Sequence, residues 1–416
     1  MKLITFLGRG GYTPVVYMQG EYRCEQTAYF PVALAQLDFE GEKITEVFAV
    51  VTPVAEEGLK DLRVELEKKG VKVTPIQIPN GHSEQEIWDI FSRITEKLNQ
   101  GDHVIFDITH GFRSLPFLAF LATAYLRVAK DVKIVGIYYG AYDPNISKSE
   151  APIIDLSSFI ALLDWTTATD KFLKAGDARD LLGLLHDQSP NTPAIQSFED
   201  SLRSVSLSLE LAHPIELGVA SARLNGRIPR DGSNLPKPFL VLLEGIQENY
   251  APYALAQEQN LLDNLKQQWF VIQKYIERKK AIQTYQLARE WIISILCWEF
   301  RDGIQARHPR ISAWRDFRGV REPISQALNG LLDKEKELYN TPLEYLYMIE
   351  DLPVSKLNAL ESAWRLISKY RNPLAHCGMD GRRDIRNPIN AAIMDTSLAN
   401  EAIPTLTILV REFNLL

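Results

Sequence analysis

A polar segment rich in hydrogen-bond donors lies between two apolar runs in the first half of the chain. Residues 104–117 read VIFDITHGFRSLPF, so a predicted strand leads through a polar turn into a predicted helix. The residues of the turn are Thr109, His110, Gly111, Phe112, Arg113 and Ser114. The histidine and the arginine supply donors, the glycine lets the backbone approach a ligand, and the first N–H groups of the helix lack intrahelical partners. Such a turn binds anions in α/β sheets, so it predicts a site for a phosphate group or a base.

A second candidate loop follows the first predicted strand. It consists of Gly8, Arg9, Gly10, Gly11 and Tyr12. A dinucleotide fingerprint would need a glycine where Thr13 stands, and the sequence lacks the Gly-Lys-Ser/Thr of a Walker loop, so the cluster is neither motif. Taken alone, it is equally well explained as a tight turn that needs positive φ.

The order of strands in a doubly wound sheet brings these two loops together. The first and fourth strands usually lie close to each other, and their carboxyl ends meet at one edge. We therefore expect both loops to face one pocket, in which Tyr12 and Phe112 offer planar surfaces for a stacked base. Asp107, at the end of the fourth predicted strand, is predicted to brace a neighbouring loop rather than to act in catalysis.

A third candidate site lies near the C-terminus, where residues 370–376 read YRNPLAH. Pro373 suits the first position of a helix, with Asn372 as its N-cap. Asn372 and His376, four residues apart, would then project from one face, with Arg371 beside them at the helix start. The alternative is a surface arginine and a histidine at a helix end.

These three residue types suit the cleavage of RNA without a metal ion. The reaction needs a base for the 2′-hydroxyl proton, an acid for the 5′-oxygen and positive charge beside the phosphorane. A histidine serves in either proton-transfer role, and the guanidinium fork of an arginine matches phosphate oxygens. Because the motif contains a single histidine, we expect two chains to combine their motifs across a twofold axis in an obligate homodimer.

The elements that must position these residues alternate between strand and helix over about the first 140 residues. Five apolar or alternating runs predict strands at 3–7, 47–52, 71–78, 104–108 and 132–139. The helical patterns cover 25–38, 55–69, 84–99 and 115–129. This alternation predicts a Rossmann-like α/β domain with a doubly wound, mostly parallel sheet and helices on both faces.

After about residue 150 the strand pattern ends, and an all-α half is predicted. Helices are expected over 156–185, 196–224, 262–300 (one long helix or two that abut) and 355–370. Breaks rich in proline or glycine lie at 189–193 and 226–238. We divide the chain into an α/β domain (1–155), a helical linker or insertion region (156–260) and a C-terminal helical domain (261–416).

Two features of the helical half have a structural as well as a functional interpretation. Trp291 and Trp298, seven residues apart, are predicted to belong to the core rather than to an RNA-binding platform. Residues 301–321 are rich in arginine but contain two glycines and a proline, so they predict an RNA-attracting loop rather than a helix that reads a DNA groove.

Composition limits the class of protein. The chain has 416 residues, 46% of them hydrophobic, and a formal net charge of −7, which argues against a surface built for tight, non-specific binding of DNA. Cys24, Cys297 and Cys377 lie far apart, so neither a disulfide framework nor a zinc site is indicated. The opening MKLITFLGRGG leads directly into a predicted strand, and no run approaches about 18 apolar residues. We expect a soluble, cytoplasmic protein without a membrane partner.

Three segments together resemble one protein family. DITHGFRSLP, the opening LITFLGRGGY with a further tyrosine at Tyr17, and the late RNPLAH resemble the CRISPR-associated proteins that join a CARF sensor domain to a HEPN ribonuclease domain. The Csx-type accessory nucleases of type III systems are the most similar branch. The resemblance covers about the first 145 residues well and about the last 130 by motif and helical character. The Thr-His-Gly-Phe-Arg run is highly specific, whereas Arg-x4-His is weak alone and convincing after it.

The resemblance implies an activity and its partners. A CARF dimer in this family binds a cyclic oligoadenylate, with cyclic tetraadenylate favoured here and cyclic hexaadenylate as the alternative, and this ligand activates a HEPN dimer that cuts single-stranded RNA. Arg371, Asn372 and His376 match the HEPN catalytic motif, and the product would be a 2′,3′-cyclic phosphate. The loops 8–12 and 109–114 match the ligand-binding loops. A homodimer or higher homo-oligomer in antiviral defence is implied, with neither a cofactor nor a metal.

The resemblance leaves other activities open. The same sensor domain could control a helical half that binds DNA or a protein partner without catalysis. The CARF domain could also cleave its own ligand at Thr109 and His110. Arg289 and Glu290 are predicted to form surface ion pairs, with packing toward the catalytic helix as the alternative.

Overall fold

The computed structural model describes nine stretches of the chain, and its contacts divide them into two compact units, Met1–Leu163 and Asp164–Leu416. The described residues are 1–8, 10–111, 115–188, 192–227, 237–255, 261–308, 317–332, 342–375 and 398–415.

The first unit is built on one sheet of eight described strands. In chain order they are β1 (Lys2–Leu7), β2 (Val16–Gln19), β3 (Tyr22–Arg23), β4 (Glu46–Val51), β5 (Lys72–Gln77), β6 (His103–Asp107), β7 (Lys133–Gly140) and β8 (Glu150–Asp155). Their order across the sheet is β3-β2-β8-β7-β6-β1-β4-β5. The strands from β7 to β5 all run parallel, whereas β8 is antiparallel to β7 and β3 is antiparallel to β2.

Helices cover both faces of this sheet, as the alternation of strand and helix predicts. They are α1 (Phe30–Leu34), α2 (Glu56–Glu67), α3 (Glu84–Glu96) and α4 (Leu115–Lys130). The residues of β1 alternate between two core clusters: Leu3 packs on the α1–α2 side, whereas Ile4 packs on the α3–α4 side. The central strands are buried on both faces, which is why they read as continuous apolar runs in the sequence. The predicted α/β fold class is confirmed.

Two details of the predicted first unit are wrong. The strand pattern was expected to end near residue 150, but Glu150–Asp155 forms β8. Its sequence, EAPIID, buries only alternate residues and contains a proline, so no continuous apolar run marks it. The helix expected over 25–38 is limited to α1, because Val15 and Thr27 instead exchange two backbone hydrogen bonds.

The described part of the second unit is helical, and the first of its helices begins in the last residues of the first unit. Its helices are α5 (Ser158–Ala175), α6 (Arg179–Gln188), α7 (Pro193–Glu210), α8 (Pro214–Asn225), α9 (Lys237–Tyr250), α10 (Leu261–Glu277), α11 (Ala281–Glu299), α12 (Arg301–Arg307), α13 (Arg318–Leu332), α14 (Leu343–Glu350), α15 (Val354–Ala375) and α16 (Ile403–Glu412). The region predicted as 262–300 is two helices, α10 and α11. The subdivision of the helical half into 156–260 and 261–416 stays a prediction.

The tryptophans and arginines of the second unit test two further expectations. Trp291 is fully buried and stacks on Trp269, with ring centroids 5.3 Å apart, so its predicted core role is confirmed. Trp298 is half-buried beneath the guanidinium of Arg301, 4.0 Å from its ring centroid. The arginine-rich segment is helical at 301–307 and from 318 onward, so the loop predicted for the whole of it is wrong there.

Candidate functional site

A buried carboxylate organises the carboxyl edge of the sheet. Asp107 ends β6 and is fully buried beside β1. Its Oδ2 accepts a hydrogen bond from the Thr5 hydroxyl at 2.6 Å, and its Oδ1 accepts one from the Thr109 N–H at 2.8 Å. Burial raises the pKa of Asp107, against the lowering effects of His110 and of the two threonines. The predicted bracing role is confirmed, because the carboxylate fixes where the chain leaves β6.

Thr109 extends this brace to the next strand. Its hydroxyl oxygen accepts a hydrogen bond from the Gly140 N–H, at the end of β7, at 2.9 Å. A Cβ added at Gly140 would lie 2.7 Å from ring atoms of Tyr17 and Phe30, so only glycine fits there. The loop after β6 is therefore anchored on both sides of its strand.

The loop after β1 is closed by its own tyrosine. The Tyr12 hydroxyl accepts a hydrogen bond from the Gly8 N–H at 2.8 Å and donates one to the Gly8 carbonyl at 3.0 Å. Gly11 has φ +93°, a conformation that favours glycine. A Cβ added at Gly8 would lie 3.0 Å from the carbonyl oxygen of His110. The two candidate loops are therefore in contact, as the strand order predicts.

His110 lies at the centre of this contact. Its ring packs against Tyr12 with centroids 4.3 Å apart, and the ring of Tyr12 also contacts Tyr29 at 5.2 Å. Burial lowers the pKa of His110, and the charge of Asp107 raises it in part, so the imidazole is neutral near pH 7. Its Nε2 is buried and has no hydrogen-bond partner among the described residues. A ligand that supplies a donor or acceptor there would satisfy it.

The predicted ligand-binding residues divide between described and undescribed positions. The structure brings together Gly8, Gly10, Gly11 and Tyr12 with Thr109, His110 and Gly111. Arg9, Phe112, Arg113 and Ser114 lie outside the described residues. The ring of Tyr12 already contacts the rings of Tyr29 and His110, and its role in stacking a base stays a prediction. Tyr29, Thr5 and Gly140 support the site and were not singled out in the sequence, because they act through contacts distant along the chain.

The C-terminal motif lies on α15, and its local structure differs from the prediction. Pro373 is buried inside α15 and does not begin a new helix, so Asn372 is not an N-cap. Arg371 and Asn372 are half-buried, and an Nη1 of Arg371 donates to Oδ1 of Asn372 at 3.4 Å. Nε of Arg371 is buried without a hydrogen-bond partner in the part of the chain that the structure describes. His376 lies outside that part.

Aromatic contacts fix the helix turn that carries Arg371. Tyr370 is buried and stacks on Tyr285 of α11, with centroids 5.1 Å apart and an interplanar angle of 22°. Its hydroxyl donates to Oε1 of Glu401 at 2.9 Å. The sequence offered no signal for Tyr285 or Glu401, because neither lies near the motif along the chain.

Arg289 joins α11 to α13 and α15. Its guanidinium lies 5.5 Å from the ring centroid of Trp364 on α15 and donates to the Ser325 hydroxyl on α13 at 2.6 Å. It also pairs with Glu290. Both interpretations of this residue therefore hold, since it packs toward α15 and forms an ion pair.

The described residues contain no group of three or more His, Cys, Asp or Glu side chains arranged to hold a metal ion. Within the same stretches, no helix has both the length and the apolar character needed to cross a membrane.

Comparisons with known proteins place the first unit in a family of domains. Residues 2–144 match the family model described as "CRISPR system endoribonuclease Csx1, CARF domain". The chain is 30% identical over 146 residues to the CRISPR-associated protein MJ1674 of Methanocaldococcus jannaschii. That match covers 32% of this chain and 23% of the relative's length. The chain therefore carries a CARF domain of the kind found in CRISPR-associated proteins, and the match to the family model ends before the helical unit.

A solved structure is also similar over the whole chain. Csm6 of Enterococcus italicus, bound to cyclic hexa-2′-fluoro-hexa-dAMP, aligns with all of this chain and 95% of its own, at 11% sequence identity and a TM-score of 0.41.

Proposed function

We propose that this protein is a metal-independent endoribonuclease that cuts single-stranded RNA in CRISPR antiviral defence when a cyclic oligoadenylate binds its CARF domain. One observation carries the proposal: the loops at Gly8 and His110 touch at the carboxyl ends of adjacent strands in a domain that matches the Csx1 CARF model. Parallel sheets bind ligands at this edge. The motif at Arg371 supports the second half of the proposal.

The ligand meets both neutral and charged groups in this pocket. The unpaired Nε2 of His110 and the backbone of the glycine loop are available to ribose and phosphate oxygens, and Arg9 and Arg113 supply charge. Phe112 provides a surface for adenine. Cyclic tetraadenylate is the favoured activator, with cyclic hexaadenylate as the alternative.

A second copy of the chain would complete the pocket. Phe117, Leu121, Tyr125 and Val128 follow each other at helical spacing on α4, and between 43% and 90% of each is exposed. Such an apolar stripe is typical of an interface. Because α4 begins directly after the loop at 109–114, pairing this stripe with its twin would set two ligand loops side by side.

This interface has a direct test. Leu121→Lys would place a charge in the middle of the stripe, and we expect sedimentation to show monomers at concentrations at which the wild type is dimeric. Val64→Lys, at a position 52% exposed on α2, is the matched control and should stay dimeric. A wild type that is monomeric with cyclic tetraadenylate present would contradict the interface.

The catalytic roles follow from the chemistry of the motif. His376 acts as general base or general acid, Arg371 stabilises the phosphorane, and Asn372 orients the reacting group. Arg371 directly follows Tyr370, which is buried and anchored by Tyr285 and Glu401, and its Nη1 donates to Asn372. A guanidinium that the fold positions in this way suits a role in binding phosphate.

Ligand binding controls the nuclease by a difference in affinity. A cyclic ligand that contacts both CARF domains favours one relative placement of the two copies, and only that placement brings two motifs into one composite site. The ratio of the ligand's affinities for the two placements therefore sets how far ligand binding can increase the population of the active placement.

The decisive experiment is an activator-dependent cleavage assay. Labelled single-stranded RNA is incubated with the protein, EDTA and either cyclic tetraadenylate or cyclic hexaadenylate. We expect cleavage with one of them, products that end in a 2′,3′-cyclic phosphate, and no cleavage by His376→Ala. The proposal fails if neither ligand induces cleavage, or if His376→Ala cuts as well as the wild type. Ligand-dependent retention of DNA in a gel shift, unaffected by His376→Ala, would instead support a non-catalytic regulator.

A further inference from the structure

A cavity in the helical unit combines apolar walls with polar groups that the fold leaves unused. Its volume is about 460 Å³, which lies in the range of small-molecule pockets. It is an open cleft bordered by the turn between α7 and α8 and by α10, α11 and α13. The apolar part of the wall includes Leu211, Pro214, Ile215 and Leu287, and the polar part includes Gln268 and Gln286.

Gln268 is the informative residue of this wall. It lies on α10 and is only 5% exposed. Its carboxamide makes no hydrogen bond to the described residues, yet it is not among the buried polar atoms left without a partner, so its atoms are accessible from the cavity. A polar group in a cavity wall is satisfied by water or by a ligand that enters the cavity. The amide offers one acceptor and two donors to whatever enters the cavity.

The charges of the wall are already balanced. Glu290 accepts from Nη2 of Arg321 at 2.8 Å and also pairs with Arg289. Burial raises the pKa of Glu290, but the hydrogen bond from Arg321 and the two nearby guanidinium charges have a larger, opposite effect. The pKa is lowered overall, so the carboxylate stays ionised. Arg321 is committed to Ser294 as well, at 2.8 Å. With Glu216 also in the wall, the cavity carries no surplus positive charge, and it therefore suits a neutral ligand better than a phosphate.

We propose that this cavity binds a nucleobase of the RNA substrate and so determines which sequences are cut, an inference that rests on the proposed ribonuclease function. A glutamine carboxamide matches the N6 and N7 edge of adenine with two hydrogen bonds, so adenine is the base that Gln268 fits best. The flat faces of His213 and Pro214 at the cavity wall suit an aromatic ring.

The helix α11 connects the cavity wall to the catalytic motif. Tyr285 stacks on Tyr370, which directly precedes Arg371, and the next residue along α11, Gln286, borders the cavity. A base held in the cavity would belong to a nucleotide of the same RNA strand as the bond to be cut. Its recognition would set the position of cleavage without contributing a reacting group.

The first test measures binding without cleavage. Thermal unfolding of the full-length protein is followed with adenosine, guanosine, cytidine or uridine at millimolar concentration. We expect adenosine to raise the Tm of the wild type and of Tyr12→Ala, whose change lies in the CARF domain, but not of Gln268→Leu. Gln326→Leu, at an exposed position on α13, is the matched control and should respond like the wild type. The inference is wrong if adenosine raises the Tm of Gln268→Leu as much as that of the wild type. It is also wrong if adenosine raises the Tm of neither protein.

The stability of the unliganded variant separates recognition from a structural role. Leucine has a similar volume and no polar atoms, so Gln268→Leu should unfold at the same or a higher temperature than the wild type. A structural glutamine would instead give a lower Tm.

The second test maps cleavage on oligouridine substrates that contain a single adenine at successive positions. The wild type should cut at a fixed distance from the adenine, and Gln268→Leu should lose this preference by about tenfold or more while still cutting unmodified oligouridine. An unchanged cleavage pattern in Gln268→Leu overturns the inference. If the wild type cuts no RNA at all, the proposed function fails, and the nucleoside measurement alone decides whether the cavity binds a base.

Discussion

The contact between the two CARF loops can be tested with a single methyl group. In Gly8→Ala, the added Cβ would lie 3.0 Å from the carbonyl oxygen of His110, whereas ordinary contacts begin at 3.4 Å. The backbone of His110 cannot move freely, because the preceding residue, Thr109, is hydrogen-bonded both to Asp107 and to Gly140. One loop must therefore move away from the other by a few tenths of an ångström.

The expected magnitude follows from overpacking a fixed neighbour. Such insertions cost about 1–3 kcal/mol. For a unit of this size, this corresponds to a decrease in Tm of roughly 2–12 °C. If ligand binding requires the loops in their undisplaced positions, the affinity for cyclic tetraadenylate should fall by about 5- to 150-fold, which is the same free energy expressed as an equilibrium constant.

The same loop contains the matched control. A Cβ at Gly10 would meet no atom within 4 Å, so Gly10→Ala should leave the Tm unchanged or slightly higher. Differential scanning calorimetry measures stability, and isothermal titration measures ligand affinity. If Gly8→Ala and Gly10→Ala have equal Tm values, the close approach of the two loops does not constrain them, and the reasoning is refuted.

Three further substitutions test the remaining groups of both sites. Because the pKa of His110 is lowered in the folded protein, the unfolded chain binds a proton at this residue at a higher pH than the folded chain does. The wild type therefore loses stability as the pH falls from about 7 toward 5. In a pH-dependent thermal scan, the Tm of His110→Phe should fall less over this range than that of the wild type. Arg371→Ala should reduce RNA cleavage by about 100-fold or more in a single-turnover assay at an unchanged Tm, and Arg371→Lys should restore little, because lysine lacks the fork. Pro373→Ala should raise the Tm measured by calorimetry, because proline inside a helix costs about 3 kcal/mol.

The sequence predicted the sheet where the signal is local. The apolar run of β6, the polar turn after it and the glycine loop after β1 are contiguous segments, and the pairing of β1 with β6 follows from general topology. By contrast, β8 has half-exposed residues and is defined by its pairing with β7 and β2, which no local pattern reports. The local sequence of residues 150–155 therefore does not reveal a strand, because the strand is defined by partners that lie elsewhere along the chain.

The C-terminal motif shows the same limit at the level of one residue. Proline most often occupies the first turn of a helix, and on that basis Pro373 was predicted to begin one. In the structure α15 continues through it, because the buried side chains of Trp364, Ile367 and Tyr370 and of Pro373 itself all lie on the packed face. Tertiary packing offsets the lost backbone hydrogen bond, and a local rule cannot weigh that packing. The position of His376 stays a prediction.

The buried carboxylate of Asp107 bears on the proposed binding of a ligand by the first unit. Keeping an aspartate fully buried is unfavourable unless hydrogen bonds compensate it, and Thr5 and Thr109 supply them. These same bonds fix the loop that carries His110, and the contact with Gly8 fixes the loop opposite. Both loops are thus ordered by the fold before a ligand arrives, so little of the binding free energy is needed to order them. More of it remains to favour one placement of two chains over another, which is the difference that the proposed control of the nuclease by a ligand requires.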